Sequence, residues 1–170
     1  MAIAEILEKI EGICREYTPK HRPRDLIIGP RGDDIQKVRC VDGVTAKGLS
    51  AQLKELYQYS RFWQFNVVDL TIFDPDTMPS VLHEKGIAET IEQDFDEELI
   101  EVDGMAKDNS FLLWTDFPPS PFNRAYGVFT DAPEPFFVVA GSEVRIFDSL
   151  DHLLSFQLEL IQITARQNLT

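Results

Sequence analysis

Histidine, cysteine and basic residues are scarce in this sequence, and long apolar runs are missing. Runs such as Phe136 to Gly141 fall far below the roughly 20 residues that span a bilayer, which excludes a transmembrane helix. Only 16 Lys and Arg stand against 29 Asp and Glu in 170 residues, a formal net charge of −13 and a pI of about 4.5. A chain this acidic repels phosphate backbones and anionic headgroups, so nucleic acid and anionic membrane surfaces are excluded as unassisted partners. Its expected ligands are neutral or basic. The opening Met1-Ala-Ile-Ala-Glu5 has an acid where a signal peptide carries its basic region, so the expected compartment is cytoplasmic. Cys14 and Cys40 lack CxxC spacing and are expected to be reduced packing residues.

The scarcity of histidine removes most catalytic and metal motifs. His83-Glu84 begins an HExxH zinc motif, but Ile87 stands where the second His must be. Asp74-Pro-Asp76 begins a calcium loop, yet Pro79 replaces its central glycine and Lys85 its bidentate Glu. Gly141-Ser142-Glu143 lacks the GxSxG frame, and Gly29-Pro-Arg-Gly32 is neither GxGxxG nor a P-loop. The chain is therefore read as non-enzymatic, with no cofactor and no metal. A divergent site around Glu143, Asp148 and His152 is the one catalytic alternative retained.

Core material is ample. The chain is 44% hydrophobic and 11% aromatic, enough for one domain over residues 1–170. Ile3, Ile6, Leu7, Ile10, Ile13, Cys14 and Tyr17 recur at helical spacing, and Pro19 stops that helix. A second helix starts behind the N-cap Ser50 and carries Leu53, Leu56 and Tyr57, with Phe62 and Trp63 extending the same face. Short strands are expected near Leu26 to Ile28, Ile35 to Val41, Phe65 to Phe73, Glu98 to Val102, Ser110 to Thr115, Tyr126 to Thr130, Phe136 to Ala140 and Val144 to Phe147. Helical spacing marks Ser80 to Asp94, interrupted at Gly86, and a last helix capped by Asp148 or Ser149 runs through Leu150, Leu153, Leu154, Leu158 and Ile161. Connectors between most strands are too short for helical crossovers. The expected fold is α+β: a largely antiparallel sheet of about five to seven strands, flanked by N- and C-terminal helices and covered by helices on one face.

Charge is distributed unevenly along this chain. Residues 1–63 are net +2 and residues 64–170 net −15. Between Glu84 and Asp103 lie nine acids, among them Glu89, Glu92, Asp94, Asp96, Glu97, Glu98 and Glu101, against the single base Lys85. Such a run is a solvated face, a docking surface for a basic partner, or a divalent-metal cluster; the field of so many like charges speeds encounter with a basic protein. The basic set Lys20, Arg22, Arg24 and Arg31 either pairs with it or touches a separate ligand. Phe117-Pro-Pro-Ser-Pro-Phe122 places two large aromatics in a loop, where no sheet face needs them, and makes Phe117 and Phe122 candidate anchors.

The helix ending Leu56-Tyr-Gln-Tyr-Ser-Arg61, the strand Asp69-Leu-Thr-Ile-Phe73 before an acidic helix, the strand Tyr126-Gly-Val-Phe-Thr130, and Phe147-Asp-Ser-Leu-Asp-His-Leu-Leu154 opening the last helix occur in a familiar order. Over roughly residues 48–162 this succession resembles the SUKH superfamily of cell-wall-assembly-regulator-like proteins. The resemblance implies an α+β fold and a bacterial immunity protein that neutralises a polymorphic toxin, often a nuclease. The expected partner is then a basic toxin domain, met by an acidic surface. A regulatory or scaffold domain that forms a homodimer or binds an endogenous protein is the alternative.

Overall fold

The computed structural model describes residues 1–17, 25–116 and 122–168. The chain opens with α1 (Ile3–Glu16), which buries Ile3, Ile6, Leu7, Ile10 and Cys14 along one stripe. Each fully buried Leu or Ile is worth roughly 1.5–3 kcal/mol, so this stripe anchors the helix. Strands β1 (Ile27–Ile28), β2 (Lys37–Arg39) and β3 (Ala46–Gly48) follow, and then α2 (Ala51–Tyr59). Ser50 caps α2 by accepting from the Leu53 amide, as expected of an N-cap serine. Trp63 leaves the helix and opens β4 (Trp63–Gln64), which turns back into β5 (Thr71–Ile72). The single strand expected from Phe65 to Phe73 is thus the turn and second arm of a hairpin. Both arms carry apolar residues, so the turn between them is invisible to composition.

The acidic region is broken rather than continuous. Met78–Val81 forms α3, Lys85–Ile91 forms α4, and Glu92–Asp96 closes as a π-helical turn. The strand expected at Glu98 to Val102 is not formed; those residues run through bends and irregular backbone. β6 (Ser110–Thr115), β8 (Phe136–Ala140), β9 (Val144–Phe147) and the closing α5 (Leu150–Asn168) match expectation, while β7 (Arg124–Val128) starts and ends two residues before the strand expected at Tyr126 to Thr130. Seven strands pair antiparallel in the order β1-β4-β5-β6-β7-β8-β9, with β2 and β3 as a separate pair. This is the expected α+β architecture with helices at both ends.

One-sided cover is corrected. α1, α2 and α5 pack on one sheet face around Trp63, Ile72, Phe111, Leu113, Trp114 and Phe137. The opposite face carries a second core of Leu112, Tyr126, Val128, Val138 and Ala140, closed by Met78, Val81, Ile87, Ile91 and Ile100. β6 is therefore buried throughout. Strand alternation sends neighbours to opposite faces. The exception is a bulge, where Leu112 pairs with Tyr126 and Trp114 with Ala125, and both Leu113 and Trp114 join the first core.

Ion pairs lock the segments that carry few strand bonds. Arg61, after α2, fans its guanidinium to Asp34 at 3.1 Å, Asp74 at 2.8 Å and Asp76. That one side chain joins α2 to the loops before β2 and after β5. Arg31 pairs with Asp33, while Lys20, Arg22 and Arg24 lie outside the described residues.

Cys14 and Cys40 are free and buried, and desolvation raises both thiols to about 11. Alkylation proceeds through the thiolate. In native protein at pH 7–8 the reaction with iodoacetamide is expected to be far slower than in urea, and to accelerate only as pH climbs toward the folded-state value. Equal rates in the two states would exclude the buried, protonated thiols. Among the described residues, no helix is long and apolar enough to cross a membrane.

Candidate functional site

The two regions singled out by charge and by loop aromatics meet in one groove. It has a volume of about 430 Å³ on the second-core side of the sheet. The acidic segment contributes Gln93, Leu99 and Ile100; the start of β7 contributes Phe122 and Arg124; the β8–β9 hairpin contributes Glu143 and Val144. Leu99, Phe122 and Val144 are 62%, 59% and 46% exposed, large values for apolar side chains sharing one depression. Ile146, 55% exposed, continues the patch, because it points to the same sheet face as Val144. β9 ends the strand order, so this face borders an open sheet edge.

Beneath the groove lies a buried ion pair. Arg124 donates through Nε to Asp94 Oδ2 at 2.9 Å and through Nη2 to Oδ1 at 2.6 Å. The Tyr126 hydroxyl donates to the same carboxylate at 2.6 Å. Asp94 is 1% and Arg124 7% exposed, so neither reaches solvent as a docking charge. Burial works against the guanidinium, yet the Asp94 bonds prevail and raise its pKa. Burial, followed by the Asp94 charge, pushes the Tyr126 phenol well above its ordinary value. The remaining Arg124 nitrogen donates to the Phe122 carbonyl at 2.8 Å. One guanidinium therefore fastens the π turn to β7 and fixes the backbone that presents Phe122.

Asp94 is the correction to the expected acidic surface. The π turn rotates it inward, while Glu89, Glu92, Asp96, Glu97, Glu98 and Glu101 stay exposed as expected. Asp96 is engaged by Lys107 at 2.6 Å, and Glu89 lies 4.0 Å from Lys85. Glu92, Glu97, Glu98 and Glu101 have no side-chain partner among the described residues. Glu92, Glu98 and Glu101 are chain neighbours of the groove-lining Gln93, Leu99 and Ile100, and Glu97 lies one residue further off. Glu98 takes a left-handed conformation, φ 53°, where the segment turns out of its last helical bonds. Phe117 lies outside the described residues.

Sequence reasoning missed Arg124, Tyr126, Leu99 and Val144. Nothing local marks them, although a lone Arg beginning an otherwise apolar strand is a signal that a buried acid awaits it. The retained catalytic trio does not assemble. Glu143 and Asp148 flank β9 at opposite ends, roughly 16 Å apart at strand rise, and His152 is exposed on α5. No cluster of three or more metal-ligating side chains occurs among the described residues. Comparison with known protein families, characterised proteins and solved structures returns no match, so the site stands on its geometry alone.

Proposed function

We propose that this chain is a non-enzymatic protein-binding module that seats a basic partner on the groove between the acidic segment and the β8–β9 hairpin. The observation that carries this reading is the meeting of exposed Leu99, Phe122 and Val144 in one groove, whose wall residues Gln93, Leu99 and Ile100 are chain neighbours of Glu92, Glu98 and Glu101, carboxylates without a side-chain partner among the described residues. Apolar anchors supply the desolvated centre of an interface, and the surrounding charge supplies encounter rate and selectivity. A basic toxin domain, neutralised by an immunity-type protein in the cytoplasm, is the partner this chemistry fits best.

The direct test is the neighbouring gene. A basic toxin domain encoded immediately upstream, whose toxicity is relieved by co-expression of this chain, supports the reading. Absence of relief overturns it.

Two further outcomes are expected with such a partner. Glu97→Lys, Glu98→Lys and Glu101→Lys together lower the association rate by about tenfold or more at low salt, with a smaller change in dissociation rate. The wild-type rate falls toward that of the variant as salt rises, which stopped-flow mixing measures. Phe122→Ala acts instead on dissociation, accelerating it by about tenfold or more, as loss of an interface anchor does. If neither rate responds to either change, the partner docks elsewhere.

Self-association is the second reading. The exposed Val144 and Ile146 beside the open β9 edge favour it, and the net charge of −13 opposes it. Sedimentation of the chain alone separates the two.

A further inference from the structure

The last strand of the sheet offers backbone as well as side chains. Just past β7, the Phe129 amide donates to the Asn109 carbonyl, just before β6, at 2.8 Å. Backbone groups address alternate sides along a strand, so Arg124, Tyr126 and Val128 direct theirs at β8. Their partners Ala140, Val138 and Phe136 are thereby engaged by β7, which leaves Phe137 and Val139 to bond β9 at Phe147 and Arg145. The Gly141 amide keeps the same phase, donating to the Glu143 carbonyl at 3.1 Å. Val144 and Ile146 therefore turn their N–H and C=O groups outward, where the strand order stops. Nothing among the described residues bonds these outward groups. β9 also has none of the features that blunt an edge: it holds no proline and no lysine, and its register with β8 is unbroken. The charge of Arg145 sits on the face away from the groove, bonded to Glu143 at 2.9 Å and 5.1 Å over the Phe156 ring. The other edge, β1, is only two residues long.

We propose that the basic partner docks by strand addition, an extended segment of it pairing antiparallel with β9 through the backbone of Val144 and Ile146. The proposal rests on the docking reading above and names the partner's part in it. Charge decides between occupants of the edge. Glu92, Glu97, Glu98 and Glu101 are exposed without side-chain partners among the described residues, and a second copy would bring the same carboxylates and a further net −13. A basic segment is attracted by that field and a second copy repelled. Directly paired residues share a sheet face, so the segment's side chains opposite Ile146 and Val144 lie on the groove side and are apolar. The segment then runs on past Glu143 and Ser142, which line the groove, and its residues there are basic. Main-chain bonds supply affinity in this mode of recognition, and alternate side chains supply selectivity.

The test titrates the full chain with a hexapeptide amide, Thr-Val-Thr-Val-Lys-Arg, labelled with fluorescein at its N-terminus and followed by polarisation. Its valines fall opposite Ile146 and Val144, its lysine opposite Glu143 and its arginine opposite Ser142. Methylating the backbone nitrogen of both valines removes the N–H groups that face β9 and is expected to weaken binding by about tenfold or more. Methylating the threonine nitrogen between them, which faces away, is expected to change it by less than about threefold. Hydrogen exchange of the Val144 and Ile146 amides is expected to slow by about tenfold or more in the complex. The proposal is overturned if no peptide binds, if all three peptides bind alike, or if those amides are already protected in the free protein in a concentration-dependent way, which places a second copy on the edge. The Glu97→Lys, Glu98→Lys and Glu101→Lys triple variant tests the underlying reading separately. Binding that is lost in this variant but indifferent to methylation keeps the acidic docking surface and rejects strand addition. Binding that senses methylation, yet tolerates both the triple variant and a Glu-Glu ending in place of Lys-Arg, rejects the basic partner and the proposal with it.

Discussion

Asp94→Ala is expected to destabilise this protein by about 3 to 5 kcal/mol, the range seen when one partner of a buried ion pair is removed. The guanidinium of Arg124 is 7% exposed and donates two of its bonds to Asp94, so truncation strands a charge that cannot reach water. The Tyr126 hydroxyl loses its acceptor in the same step. Against a typical total stability of about 5–15 kcal/mol, this is enough to depopulate the fold. Urea unfolding measures it as a fall in midpoint at unchanged slope. The double variant Asp94→Leu with Arg124→Met removes both charges and is expected to recover most of the loss, because apolar residues of similar volume replace buried pairs at little cost. A single-variant loss below about 1 kcal/mol would show that the pair is not buried in solution. The consequence for function is direct. Lysine scanning of the proposed docking surface has to omit Asp94, since its replacement unfolds the chain and would mimic the loss of an interface residue.

Gly127→Ala carries the other large effect. Gly127 sits in β7 opposite Phe137, where a Cβ would stand 2.2 Å from Cε1 and 2.6 Å from Cζ of Phe111. The Phe111 ring has little room to retreat: it is 1% exposed and contacts the rings of Phe129 and Phe137 at 5.5 and 6.2 Å between centroids. Overpacking of this kind costs about 1–3 kcal/mol, offset in part by the lower backbone entropy of alanine in a strand. Phe111→Leu alone opens a cavity, but combined with Gly127→Ala it provides space for the new methyl group. The pair is therefore expected to be less destabilised than the sum of the singles, by about 1 kcal/mol in a double-mutant cycle. Additive losses would mean that the ring does not cover the glycine.

Both predictions depend on contacts far apart in the chain, and that separation marks the limit of sequence reading. Ser50 as a cap, the α1 stripe from Ile3 to Cys14 and the strands from Ser110 to Phe147 were legible, because capping and alternation are short-range properties of the backbone. The hairpin within residues 63–72 was not, since both arms and its turn are rich in apolar residues. The acidic segment was legible as charge and illegible as geometry. Its carboxylates are alike in composition, and only the π turn separates Asp94, aimed at Arg124, from Glu92, Glu97, Glu98 and Glu101, aimed at water. Phe122 was visible as an aromatic without a strand to justify it; Leu99 and Val144, its companions in the groove, carried no such sign.

By itself, the sequence determined the class of fold and the near-neutral front with its acidic remainder. These follow from counts and periodicities, which do not depend on where the chain goes next. Tertiary structure alone decided that helices cover both sheet faces, that one acid of the run is a structural counter-ion, and that exposed Leu99, Phe122 and Val144 share a groove. The physical reason is that desolvation and proximity are properties of the packed molecule. A carboxylate becomes a buried partner or a docking charge only when the sheet brings, or fails to bring, an arginine beneath it.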